Sequence, residues 1–148
     1  MFTHEYFMRQ ALAQANQAFD AGEVPVGAVI VHGNHILAKA HTQVELLRDS
    51  TAHAEILALT AAMQQVGGKY LPQCTLYVTL EPCPMCAGAL YWAQMGAVLY
   101  AATDTKRGFS LFNPPLLHPS TKVENGILAQ PCAHLLQRFF KNKRNSNK

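Results

Sequence analysis

Apolar residues recur at helical spacing over the first twenty positions, with Met8, Ala11, Leu12, Ala15, Ala18 and Phe19 on one stripe. Thr3 suits the N-cap, Glu5 the first turn and Gly22 the stop. The period then changes. Residues 24–31 are apolar and β-branched, His32-Gly33-Asn34 is a turn signal, and apolar residues return over 35–40, so a hairpin is predicted. Residues 41–51 are polar and irregular and read as a loop. Ser50 or Thr51 can cap a second helix over 52–66, stopped by Gly67-Gly68. A Thr-, Val- and Tyr-rich strand follows over 74–80, broken by Pro82 and Pro84. Pro84 suits the first position of a third helix running to about residue 95. The remainder reads as a buried strand over 97–102, a loop over 103–120 with three prolines, and a short strand within 122–128. A last helix over 130–143 carries Leu135, Leu136, Phe139 and Phe140 on one face.

Strands alternating with helices predict an α/β fold, a sheet covered by helices on both faces. The strand-helix-strand unit over 74–102 should form a right-handed parallel crossover. A chain of 148 residues without internal repeat or linker reads as one domain, 1–148, with a basic C-terminal helix and tail from about residue 130. No apolar run is long enough to span a membrane, and the N-terminus lacks the features of a signal peptide, so no membrane partner and a cytoplasmic location are expected. In that compartment four cysteines point to metal binding or chemistry rather than to disulfides.

The net charge of +3 is unevenly placed. Residues 138–148 hold Arg138, Lys141, Lys143, Arg144 and Lys148 and no acid, while the rest of the chain is slightly acidic. Such a tail suits a polyanionic partner, or is simply a solvated end that aids solubility.

Two short strings carry the chemistry: His53-Ala54-Glu55 and Pro82-Cys83-Pro84-Met85-Cys86. Residues three apart at a helix start share a side, so Cys83 and Cys86 aim at one spot, and the positive helix end favours thiolates. A lone Cys-x-x-Cys could also be a redox pair or half of a zinc ribbon, but no second such pair exists for a ribbon. Cys74 and Cys132 stand alone in apolar surroundings and read as core residues. His53 and Glu55 would point about 200° apart inside a helix, so they converge only on a target beyond the helix N-terminus. One imidazole and two sulfurs leave a fourth zinc position open, as in catalytic sites, with Glu55 placed to move protons. Without a metal, Glu55 would be an ordinary acid of a first helical turn. Glu81 reads as a residue that holds backbone or neighbouring loops.

These strings resemble the signature of the zinc-dependent cytidine and deoxycytidylate deaminase superfamily. Glu23-Val24-Pro25-Val26-Gly27-Ala28-Val29 and Gly126-Ile127-Leu128-Ala129, with the final Phe139-Phe140-Lys141, are closer to its bacterial tRNA adenosine deaminase branch, and the likeness covers nearly the whole chain. The resemblance implies a three-layer α/β/α sandwich around a mixed five-stranded sheet, usually homodimeric, forming inosine at the wobble position of a tRNA anticodon. It implies one Zn2+ per subunit on His53, Cys83 and Cys86, with Glu55 as the catalytic proton shuttle. It assigns Val26, Thr42, Ala54, Pro82 and Asp104 to the substrate, and Lys106, Phe140, Lys141 and Arg144 to the RNA.

The chain departs from that pattern in three places. Thr42, after His41, stands where the family usually has Asn, and a hydroxyl cannot make a two-point amide contact. The loop from Asp104 to Gly108 runs directly into Phe109-Ser110, and the usual small-residue stretch is shortened. Tyr91-Trp92-Ala93 resembles guanine-deaminase-like relatives, with Gln94 where Arg is common. Three readings therefore stand: a tRNA-editing deaminase, a deaminase of a free nucleobase or nucleoside (guanine, adenine or cytosine), and a zinc-stabilised RNA-binding or partner subunit without enzymatic activity. An intact Glu55 counts against the last.

Overall fold

A computed structural model describes residues 1–146 of the chain. Lys148, one of the five tail cations, lies outside the described residues. The chain begins with α1 (His4–Asp20), whose N-cap Thr3 accepts the Tyr6 N–H, and Gly22 beyond its end has a φ of 78°. β1 (Gly27–His32) and β2 (His35–His41) form the expected hairpin. A short helix, α2 (Val44–Leu47), follows, then α3 (Ala54–Val66), β3 (Cys74–Leu80) and α4 (Pro84–Trp92). β4 (Ala97–Ala102), a single 3-10 turn at Phe109–Leu111, β5 (Lys122–Asn125) and α5 (Ala129–Ser146) complete it.

The strands form one mixed sheet in the order β2-β1-β3-β4-β5. β1 is antiparallel to β2 and β3, whereas β3, β4 and β5 run parallel. Alternation along the strands separates two cores. Ala28, Ile30, Leu76, Val78, Val98 and Tyr100 pack with Ala58, Leu59 and Leu90 of α3 and α4. Val29, Val31, Tyr77, Leu99 and Ala101 pack with Phe7, Met8, Ala11 and Cys132 of α1 and α5. The result is the three-layer sandwich. Cys74 and Cys132 lie unpaired, one in each core.

Three details differ from the sequence reading. Part of the 41–51 loop is helical, because the Glu23 carboxylate accepts the Glu45 and Leu46 N–H groups. Neither Ser50 nor Thr51 caps α3. Asp49 takes both the Thr51 N–H and hydroxyl in a separate turn, and His53 becomes the N-cap residue. α4 stops at Trp92, short of residue 95, because Gln94 adopts a left-handed conformation at φ 52°. Gly96 follows in a tight place: a Cβ there would collide with the Pro72 carbonyl oxygen. The short strand expected within 122–128 is present as Lys122–Asn125, with Gly126 at φ 101°.

Candidate active site

Both chemical strings lie at helix starts. His53 is the N-cap of α3 and Cys83 the N-cap of α4, each with extended backbone that turns its side chain back over the helix end. Pro84 opens α4, where a missing N–H costs nothing. Because His53 precedes the helix proper, the 200° conflict with Glu55 disappears. Its Nδ1 lies 3.7 Å from Cys83 Sγ and 3.5 Å from Cys86 Sγ. A tetrahedral zinc with ordinary bond lengths sets nitrogen and sulfur about 3.6 Å apart. The three donor atoms all lie within 4.8 Å of one another, so these residues could hold a metal ion, and the soft donor set suits zinc.

Glu55 follows in the first turn of α3 and is 4% exposed. Burial pushes its carboxyl up to about 7. In the metal-free protein the Cys86 thiol donates to Cys83, which holds Cys83 down at about 4 and pushes Cys86 up. The hydrogen bond with Cys83 raises His53. The cluster thus retains protons where a cation would displace them.

His53, Glu55 and Cys83 face a cleft of about 790 Å³. One part of its lining comes from residues 22–26 and 42–45, among them Glu23, Val26 and Thr42. A second part comes from Leu80, Glu81, Asp104, Lys106 and Arg107. The third is a stripe on α5, with Leu136, Phe139, Phe140, Lys143 and Arg144 at i, i+3, i+4, i+7 and i+8. The loop from 104 to 110 hangs on Glu81, 2% exposed, whose two oxygens accept the Asp104 and Ser110 N–H groups at 3.0 and 2.9 Å. Gly108 passes so close that a Cβ would strike this carboxylate. Chemically, the arrangement offers a metal position, a buried acid beside it and cations at the rim.

The family model for MafB19-like deaminases matches residues 2–144. The tRNA-specific adenosine deaminase of Aquifex aeolicus (strain VF5) is 46% identical over 147 residues, covering 96% of this chain and 97% of the relative. The chain belongs to the tRNA-specific adenosine deaminase family. A solved structure from studies of A-to-I editing by tRNA:A34 deaminases at the wobble position of transfer RNA is similar, with a TM-score of 0.83 and 38% identity over 88% of this chain and 99% of that one. Guanine deaminase from Bacillus subtilis is similar over less, with a TM-score of 0.67 and 43% identity over 70% and 67%.

Within this deaminase, the residues singled out from sequence divide. Val26, Thr42, His53, Glu55, Cys83, Asp104, Lys106, Phe140 and Arg144 line the cleft. Ala54 and Pro82 are buried and, like Cys86, are not part of that lining. Thr42 is buried, with its N–H on the Val26 carbonyl at 3.1 Å. One Asp104 oxygen accepts the Lys106 and Arg107 N–H groups, both at 3.0 Å, which shapes the loop that carries those cations. Lys141 is exposed away from the lining, whereas Lys143 is in it. Arg138 stacks 5.0 Å from the Phe19 ring centre and fastens α5 to the end of α1. Glu23, Arg107 and Lys143 were not singled out as site residues. Helical phase, counted from Phe140, is the signal that finds Lys143, and Arg107 adjoins Lys106. Glu23 opens the Glu23–Val29 string that carries the resemblance, but its role depends on tertiary contact with Glu45 and Leu46.

Proposed function

We propose that this deaminase converts adenosine to inosine at the wobble position of a tRNA anticodon, with zinc on His53, Cys83 and Cys86. The observation that carries the proposal is one cleft combining the donor cluster and Glu55 with Lys106, Arg107, Lys143 and Arg144 at its rim. A free base carries no phosphate and has no use for that rim. An anticodon loop offers phosphates to it and an unstacked base to the interior. The names of the relatives support the same reading.

When bound, zinc supplies an acidified water with a pKa near 7. Glu55 takes a proton from the attacking water and gives it to the ring nitrogen beside the amino-bearing carbon. That carbon becomes electrophilic, and the water oxygen adds to it. Glu55 then carries the second proton to the amino group, which leaves as ammonia. Apolar Val26 and buried Thr42 flank the space for the base and exclude bulk water. Ala54 and Pro82 act through the backbone beside the donor cluster. Lys106, Phe140 and Arg144 meet the RNA, and Lys141 meets only flanking phosphates.

We further propose a cytoplasmic homodimer. No helix among the described residues is long and apolar enough to cross a membrane. Met85, Gly88, Ala89 and Trp92 fall on one stripe of α4, Trp92 is 76% exposed, and a Cβ on Gly88 would meet nothing. Such a stripe suits a second copy of the chain. Light scattering should give twice the chain mass, and Trp92→Glu should give the single mass; a single mass for the wild type rejects the dimer.

Product analysis tests the activity. The zinc-loaded protein should form inosine in an anticodon stem-loop and should leave free guanine, adenine, cytosine and their nucleosides unchanged. Turnover of a free base alone would replace the RNA reading with a nucleobase deaminase.

A further inference from the structure

Glu23 is 2% exposed, lines the cleft, and takes no part in the donor cluster. Its two carboxylate oxygens accept the Glu45 and Leu46 N–H groups, each at 2.9 Å. Those are donors of the first turn of α2, a helix of four residues with no buried side chain of its own. With neither a core face nor the length to persist alone, α2 depends on contacts from outside. Gln43 N–H on the Ala52 carbonyl and Thr42 N–H on the Val26 carbonyl fix only its approach. Gly22, Glu23, Val24 and Val26 line the cleft together with Thr42, Val44 and Glu45. The Thr42 hydroxyl reaches the Val26 carbonyl only at 3.5 Å, whereas Glu23 ties its segment to α2 with two 2.9 Å bonds. The construction matches that of Glu81, whose two oxygens hold the segment from 104 to 110.

We infer that Glu23 is a positioning residue for the deaminase reaction: by holding α2 to the segment that follows α1, it sets the shape of one lip of the cleft and hence the grip on the RNA around the reacting base. Its oxygens are occupied by backbone donors, so Glu23 moves no proton and leaves the chemical step alone. The role appears in KM and not in kcat. The inference rests on the RNA reading proposed above.

The test uses the full zinc-loaded chain and an anticodon stem-loop. Glu23→Gln keeps one acceptor and loses the other; Glu23→Ala loses both. Glu23→Gln should raise KM about tenfold with kcat within about twofold, and Glu23→Ala should raise KM further. Zinc content should stay at the wild-type value, and amide exchange at Glu45 and Leu46 should quicken in the same order. A fall in kcat at unchanged KM would overturn the inference. So would wild-type KM with those amides exchanging faster, or wild-type behaviour in both. If Glu23→Ala does not fold, Glu23→Gln decides alone. Inactivity of the wild-type chain on the stem-loop would instead reject the functional reading, and exchange at the two amides would still decide whether Glu23 holds the lip.

Discussion

Glu55 carries two burdens that a single substitution separates. Replacing its carboxylate by an amide removes the proton carrier and leaves His53, Cys83 and Cys86 in place. Glu55→Gln should therefore bind one zinc per chain and lose about a thousandfold or more in turnover, read by metal analysis and single-turnover product formation. The same residue strains the metal-free protein. Its carboxyl is displaced from 4.5 to about 7 by burial, so the folded state keeps a proton that the unfolded chain releases. Stability from that proton is complete below pH 4.5 and is lost as pH rises through about 7. Metal-free Glu55→Gln should accordingly melt above the metal-free wild type at pH 8, with the gap closing by pH 4.5. A gap that widened on acidification would contradict the burial argument.

At the scale of elements, α5 shows how helical phase selects among neighbouring charges. Lys143 and Arg144 share the stripe of Leu136, Phe139 and Phe140 in the cleft, and Lys141 does not. Neutralising Lys143 and Arg144 to Gln should lower kcat/KM on the stem-loop at least about tenfold and flatten its salt dependence, whereas Lys141→Gln should cost under about threefold. Equal losses would mean that charge alone, not phase, governs RNA binding. The amino-acid sequence showed α1, β1 to β4 and the body of α3 because each repeats its own period over several residues. The start of α4 was legible because Pro84 suits its first position. α2 was not, since its hydrogen bonds come from Glu23 across more than twenty residues. The His53 cap was hidden by Asp49, whose carboxylate draws Thr51 into an independent turn. In both cases a long-range or competing hydrogen bond outweighed local preference.

The whole molecule distributes its stability away from the metal. The donor cluster joins the starts of α3 and α4, while the two cores close on either side of the sheet without it. Cys86 is itself buried, yet its neighbours Leu90 and Ala87 pack into a core that needs no cation. A protein of this size buries enough surface to fold unaided, unlike a zinc finger. Chelation should therefore abolish activity while leaving far-UV circular dichroism at 25 °C close to that of the zinc-loaded protein. Binding still adds stability by mass action, about 2.7 kcal/mol at a free zinc concentration a hundred times Kd. For a chain of this length that corresponds to a rise in Tm of about 5 to 10 °C. Loss of helical signal on chelation would show that the sandwich depends on its metal, and that the two cores are too weak to close alone.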